Sequence, residues 1–174
     1  CDTFIVHARN AWLDGLSPKE NREIPPLRYG VVHELKRDRP DLKIIVNGGI
    51  RTLDECREHL LAVDGVMLGR EAYYNPWLMA GVDEALYGEP APVESRADAV
   101  RQFMPYVADE VAAGTPLTAM TRHMLALMLG LPGARAWRRT LSEDARAPGV
   151  GVELLESALD RLDAASAAIV PRAA

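Results

Sequence analysis

Long apolar runs, metal-spaced cysteines and nucleotide-binding glycine fingerprints are all missing from this 174-residue chain. No stretch approaches the roughly 18 apolar residues of a membrane helix, so no spanning helix is expected. Cys1 and Cys56, the two cysteines, lack metal-like spacing. Cys56 falls in a segment of leucine and alanine periodicity, which predicts a buried structural thiol, with no disulfide and no zinc. Neither G-x-G-x-x-G nor a P-loop occurs, which argues against a Rossmann or Walker site. No Ser-His-Asp set and no converging pair of carboxylates is discernible. Repeats and low-complexity tracts are also absent. The opening CDTFIVHAR has no charged leader followed by a cleavage site, so the cytoplasm is the simplest expectation. The chain is 48% hydrophobic with a net charge of −5, an ordinary globular composition with enough length for one core and a small satellite domain.

Two glycine turns stand out against this background. Lys43 to Gly49 reads KIIVNGG and Gly65 to Arg70 reads GVMLGR. Each is a short β-branched run ending in glycine where a helical pattern begins, Thr52 to Leu61 after the first and Glu71 onward after the second. Strand, glycine turn and helix in succession predict two βα units of a parallel sheet. Glycine permits close approach of the backbone to a ligand, and the following helix N-terminus favours an anion. In (β/α)8 barrels the loops after the last two strands form the usual phosphate site. Arg70 adds a guanidinium suited to phosphate. Asp2 to His7 (DTFIVH) reads as a further, buried strand, which makes three. A closed barrel needs about eight, so five are expected to lie outside the chain if the sheet belongs to one.

Between the first strand and the next helix, Ala8 to Pro26 forms a long polar loop of the kind that carries function. A helix is expected over Leu27 to Arg39, another from Trp77 to Leu86, and a proline-rich linker at Gly88 to Val93. Beyond it the period is helical, over Ala97 to Ala113, Leu117 to Leu129, Ala134 to Ser142 and Val152 to Ala168, which predicts a small antiparallel bundle. Charge is uneven. From Thr115 to Gly149 five arginines face two acids, a local +3 that leaves −8 for the remainder of a chain whose total is −5. Arg135, Arg138 and Arg139 share one helical face. A positive stripe on an acidic protein suggests a polyanion, and a solvated face with local ion pairs is the plainer alternative.

His7 closes the first strand, and Arg9 follows with the same facing. A neutral imidazole there could hydrogen-bond a cofactor. In the loop, Lys19, Arg22 and Arg28 alternate with Asp14, Glu20 and Glu23. His33, His59 and His123 show no useful partner spacing. Of the three tryptophans, only Trp12, in the loop, is placed to be more than a packing residue.

Four segments carry a family resemblance: HARNAWLDGLSPKENREIPPL (His7 to Leu27), VNGGIRTL (Val46 to Leu53), DGVMLGREAYYNP (Asp64 to Pro76) and GARAWRRTLSE (Gly133 to Glu143). They run in order through nearly the whole chain, which resembles the tRNA-dihydrouridine synthases and specifically their A subfamily. The resemblance implies an α/β fold, the last three strands of an FMN-bearing TIM (β/α)8 barrel, followed by an all-α helical tRNA-binding domain. On that reading residues 1–88 belong to the barrel, 89–94 are linker and 95–174 are the helical domain. It further implies that His7, Asn47, Gly48, Gly49, Gly69 and Arg70 contact FMN, and that Lys19, Arg22, Arg135 and Arg138 grip tRNA. The reaction implied is reduction of the uridine C5–C6 double bond at D-loop positions 20 and 20a. NADPH reduces FMN, flavin N5 gives a hydride to C6, and a cysteine acid protonates C5. Neither Cys1 nor Cys56 stands where that cysteine belongs. The chain therefore reads as the C-terminal half of the enzyme, inactive alone, without a metal or a membrane anchor and able to self-associate through open sheet edges. Rival readings are a stand-alone RNA-binding module and an FMN-barrel oxidoreductase acting on a small molecule.

Overall fold

The computed structural model describes residues 1–168. Their contacts divide them into two units, one formed by Cys1–Ala72 with Glu84–Gly88, the other by Tyr73–Asp83 with the chain from Glu89 onward.

The first unit is a three-stranded parallel sheet in the order β1-β2-β3, built from Thr3–His7 (β1), Lys43–Asn47 (β2) and Gly65–Met67 (β3). Its helices are α1 (Pro18–Asn21), α2 (Tyr29–Asp38), α3 (Leu53–Leu60) and the start of α4 (Arg70–Tyr74). The register is the fact on which the site depends: His7 pairs with Asn47, and Asn47 with Met67. Three strand ends therefore stand level, and the segments after them emerge side by side. Ile44 and Val46 of the central strand are fully buried and pack with Val32, Ile50, Cys56 and Val63. Thr52 opens α3 with a capping box: its hydroxyl accepts from Glu55 N–H, while the Glu55 carboxylate accepts from Thr52 N–H and Arg51 N–H. Lys36 of α2 meets Asp64 at 2.9 Å, and the same carboxylate takes the Ile44 N–H.

The expectation that β1 is buried does not hold. Phe4 is 40% and Ile5 58% exposed. Burial of a strand needs a neighbour on both sides and cover on both faces. Here β1 pairs only with β2 among the described residues, whereas the central β2, with the same kind of sequence, is enclosed.

The second unit is helical: α5 (Arg96–Ala112), α6 (Thr118–Thr121), α7 (Ala134–Ser142) and α8 (Glu153–Ala167). Ser95 caps α5 by accepting from Asp98 N–H. The buried residues of α8, Leu155, Ala158, Leu159 and Leu162, follow the spacing of one helical stripe and join Val100, Val107, Trp137 and Leu141 in a single core. The helix expected over Leu117 to Leu129 is regular only through α6. After it come tight turns, such as Met124 N–H to Thr121 C=O and Leu127 N–H to Met124 C=O. Packing explains the difference. Trp137 Nε1 takes the Met124 carbonyl at 3.0 Å and Thr121 Oγ1 bonds the Leu141 carbonyl at 3.0 Å, so tertiary partners use groups and positions that a continuous helix would need. The helix expected from Trp77 to Leu86 is likewise a 3-10 turn over Pro76–Gly81 and a wide turn over Asp83–Tyr87. No helix among the described residues is long and apolar enough to cross a membrane.

Candidate functional site

At the level end of the sheet, the turn after β2 is glycine because the backbone there requires it. Gly48 and Gly49 have φ of +115° and +75°, in the region that side chains disfavour. A Cβ on Gly48 would lie 3.0 Å from the His7 ring, and one on Gly49 2.7 Å from a Leu27 methyl. Tyr29 Oη donates to the Gly48 carbonyl at 2.5 Å, and the Tyr29 ring tilts against His59 at 4.3 Å. The turn is thus held from three directions, by His7, Leu27 and Tyr29. Gly69, after β3, differs: a Cβ there meets nothing within 4 Å, which leaves open space beside the strand end.

A backbone contact selects the tautomer of the neutral His7 ring. The Arg9 backbone N–H donates to His7 Nδ1 at 3.3 Å, so the neutral ring carries its proton on Nε2. Burial lowers the His7 pKa, and the charges of Arg9, Arg22 and Arg70 lower it further. Three guanidinium groups thus lie close enough to the imidazole to disfavour its charged form. Arg9 Nε donates to the Pro25 carbonyl at 2.7 Å, and its buried Nη1 has no partner in the described structure. An orphaned buried cationic N–H near the His7 end of the sheet has the chemistry to meet an anion.

The loop from Ala8 to Arg28 is far more ordered than its polar sequence suggests. Arg28 N–H bonds the Ala8 carbonyl at 2.7 Å, closing the loop at its base. Asn21 takes the Trp12 N–H at 2.7 Å and donates back to the Trp12 carbonyl at 2.9 Å. Ser17 and Glu20 form a capping box on α1, and the serine's hydrogen bonds hold the Glu20 carboxyl below its usual range. Lys19 and Arg22 are presented to solvent on this short helix and at its end. Arg70, which the sequence assigns to phosphate, reaches into the same loop: Nη1 meets Glu23 Oε1 at 2.5 Å and Nη2 donates to the Arg22 carbonyl at 3.2 Å.

The sheet unit therefore brings His7, Asn47, Gly48 and Gly49 together through register and direct contact, and draws Arg70 and Arg22 into the electrostatic neighbourhood of His7. Asn47 turns its side-chain amide toward Met67 sulfur at 3.4 Å. Composition gave no notice of Leu27, Tyr29 or Glu23. Tyr29 and Leu27 look like the entry to a helix, and Glu23 is one of several acids in a balanced loop.

In the helical unit, α7 turns Trp137, Thr140 and Leu141 inward and Arg135, Arg138 and Arg139 outward. None of these three, nor Arg146, is in an ion pair among the described residues. Arg101, by contrast, meets Glu156 at 3.2 Å, Arg161 meets Asp144 at 3.3 Å, and Arg96 lies 5.5 Å from the centre of the Trp77 ring. The described residues contain no group of three or more histidine, cysteine or acidic side chains arranged to hold a metal. Cys56 is fully buried and burial pushes its thiol pKa up, the opposite of a reactive cysteine.

The order of these features is matched by a family profile described as dihydrouridine synthase (Dus), over residues 1–163. The chain belongs to the dihydrouridine synthase family. It is 53% identical over 162 residues to a tRNA-dihydrouridine(20/20a) synthase of Vibrio cholerae, covering 93% of this chain and 50% of that protein. It is 59% identical over 144 residues to the protein of that name in Pseudomonas syringae pv. tomato, covering 83% of this chain and 43% of the relative. For the Salmonella typhimurium protein of that name the figures are 54% over 159 residues, 91% and 48%. The chain thus spans about half the length of the curated dihydrouridine synthases it matches.

Proposed function

We propose that this chain supplies the cofactor-phosphate turns and the RNA-gripping surfaces of a tRNA-dihydrouridine(20/20a) synthase that uses FMN and NADPH. The observation that carries the reading is the level register of His7, Asn47 and Met67, which sets the two glycine turns side by side next to three guanidinium groups. In this reading the sheet is the last part of a (β/α)8 barrel formed by residues 1–88, with 89–94 as linker and 95–174 as an RNA-binding domain.

The residues fit a phosphorylated cofactor. Gly49 exposes backbone at a turn where a side chain on it or on the buried Gly48 would clash, Gly69 borders open space, and Arg9 holds an unpartnered buried N–H. Asn47, Gly48, Gly49, Gly69 and Arg70 would hold FMN at its phosphate end, and His7 would donate its Nε2–H to an acceptor on the cofactor. FMN, when bound, supplies the hydride chemistry, with NADPH as reductant. The chain's own work is to bind and orient. Lys19 and Arg22 in the loop, and Arg135 and Arg138 on α7, would take tRNA phosphates and bring the D-loop uridine within reach. Neither Cys1 nor the buried Cys56 suits the acid that protonates C5, so that group is assigned outside these residues. Taken alone, the chain is expected to be inactive and to self-associate through the exposed edge at β1.

The complete polypeptide that carries this sequence should purify yellow, retain FMN, and convert uridine at positions 20 and 20a of a tRNA transcript with NADPH. A colourless protein that takes up no FMN, or a transcript left unmodified, refutes the proposal.

A further inference from the structure

The geometry points to Glu23 as a positioning residue that couples the cofactor-phosphate turn to the RNA-gripping loop, an inference that rests on the function just proposed. Arg70 follows Gly69 at the end of β3, and yet two of its N–H groups are spent 47 and 48 residues away in sequence, on the Glu23 carboxylate at 2.5 Å and the Arg22 carbonyl at 3.2 Å. A guanidinium has five N–H donors, so the others stay available for a phosphate at the strand end. One side chain therefore bridges both elements, and a phosphate that fixes the guanidinium also fixes the segment from Arg22 to Glu23. That segment is the end of α1. Arg22 is its C-cap residue, and Lys19 lies one helical turn earlier. The rest of the loop transmits the constraint, because Asn21 grips Trp12, Ser17 and Glu20 cap α1, and Arg9 holds Pro25. Cofactor occupancy thus orders the loop that meets RNA, and by thermodynamic reciprocity RNA tightens the cofactor.

The pair is half exposed, 51% for Arg70 and 44% for Glu23, so the coupling is small, up to about five-fold in affinity. The test measures the dissociation constant of a tRNA transcript with and without saturating FMN in the complete polypeptide, for the parent and for Glu23→Gln. FMN is expected to tighten tRNA binding about three-fold in the parent, and the ratio is expected to fall to about one in Glu23→Gln. A second variant, Glu20→Gln, loosens α1 without touching Arg70. It is expected to weaken tRNA binding equally with and without FMN and to keep the parent ratio, which separates coupling from loop stability. A ratio of one in the parent, or an undiminished ratio in Glu23→Gln, overturns the inference while the proposed function stands. Failure of the parent to bind FMN and tRNA at all removes the function and the inference together.

Discussion

The strand ends of the sheet unit and the outer face of α7 in the helical unit place arginine differently. In the sheet unit several basic side chains are held by partners within the unit: Arg9 by Pro25, Arg70 by Glu23 and Arg22, Lys36 by Asp64. Arg9 and Arg70 thereby hold backbone of the loop that follows β1. On α7 of the helical unit, Arg135, Arg138 and Arg139 stand outward with no acid in reach among the described residues, held there because Trp137 and Leu141 anchor the opposite face. Hydrophobic packing differs in the same sense. The helical core is closed around a fully buried tryptophan, while the sheet leaves Phe4 and Ile5 of its edge strand in solvent. A charge that already has a partner holds local structure, whereas a charge left free remains open to solvent and to any polyanion.

The contrast in packing is most directly broken at Trp137, which is 1% exposed and bonded to the Met124 carbonyl. Trp137→Ala should destabilise the helical unit by about 3–5 kcal/mol. Urea unfolding followed by circular dichroism reads this, whereas Phe4→Ala in the same chain should cost below about 1 kcal/mol because its side chain is already wet. Similar losses for the two would erase the distinction between closed core and open edge.

Within the sheet unit, Gly49→Ala should cost about 1–3 kcal/mol, from positive φ and from the clash with Leu27, while Gly69→Ala should be tolerated in stability. Thermal midpoints of the two variants decide it, and equal midpoints would show that the turn after β2 is not strained against side chains.

For the free arginines, replacing Arg135 and Arg138 together by alanine should weaken tRNA binding about ten-fold and lower the slope of log affinity against log salt by about 2, with FMN content unchanged. Loss of flavin from that variant would mean that the two units had been assigned the wrong partners.

The smallest effect is in pH. His7 and His59, both in the sheet unit, have lowered pKa values; burial is the main cause for each, followed by Arg9 for His7 and by His33 for His59, whose Nε2 lies 3.2 Å from His59 Nδ1. A depressed histidine contributes stability above the unfolded value of about 6.5, and this is lost as pH falls toward and through the folded value. The sheet unit should therefore soften first on acidification below about pH 6.5. Tyrosine or histidine NMR signals of Tyr29 and His59 should report it, and His59→Gln should reduce the dependence.

Much of the site could be read before the fold. β-branched runs ending in glycine located β2 and β3, and the apolar run Asp2 to His7 located β1, each within a residue, since such side chains suit a pleated strand and glycine suits the turn that ends it. The outward arginines of α7 followed from helical spacing alone. The loop was legible as a long connection, but not as an ordered one, because its bonds join Asn21 to Trp12 and Arg9 to Pro25 across distances that no local pattern encodes.

Local chemistry in the chain dictated the strands, the glycine turns, the amphipathic helices and the clustering of positive charge, since each depends on neighbours a few residues apart. Tertiary structure alone decided that β1 pairs on one side only among the described residues, that the Leu117 to Leu129 segment breaks after one helical turn, and that Arg70 reaches back to Glu23. Those outcomes depend on which groups meet across tens of residues, where a carbonyl or a carboxylate has several competing partners and only the packed chain selects one.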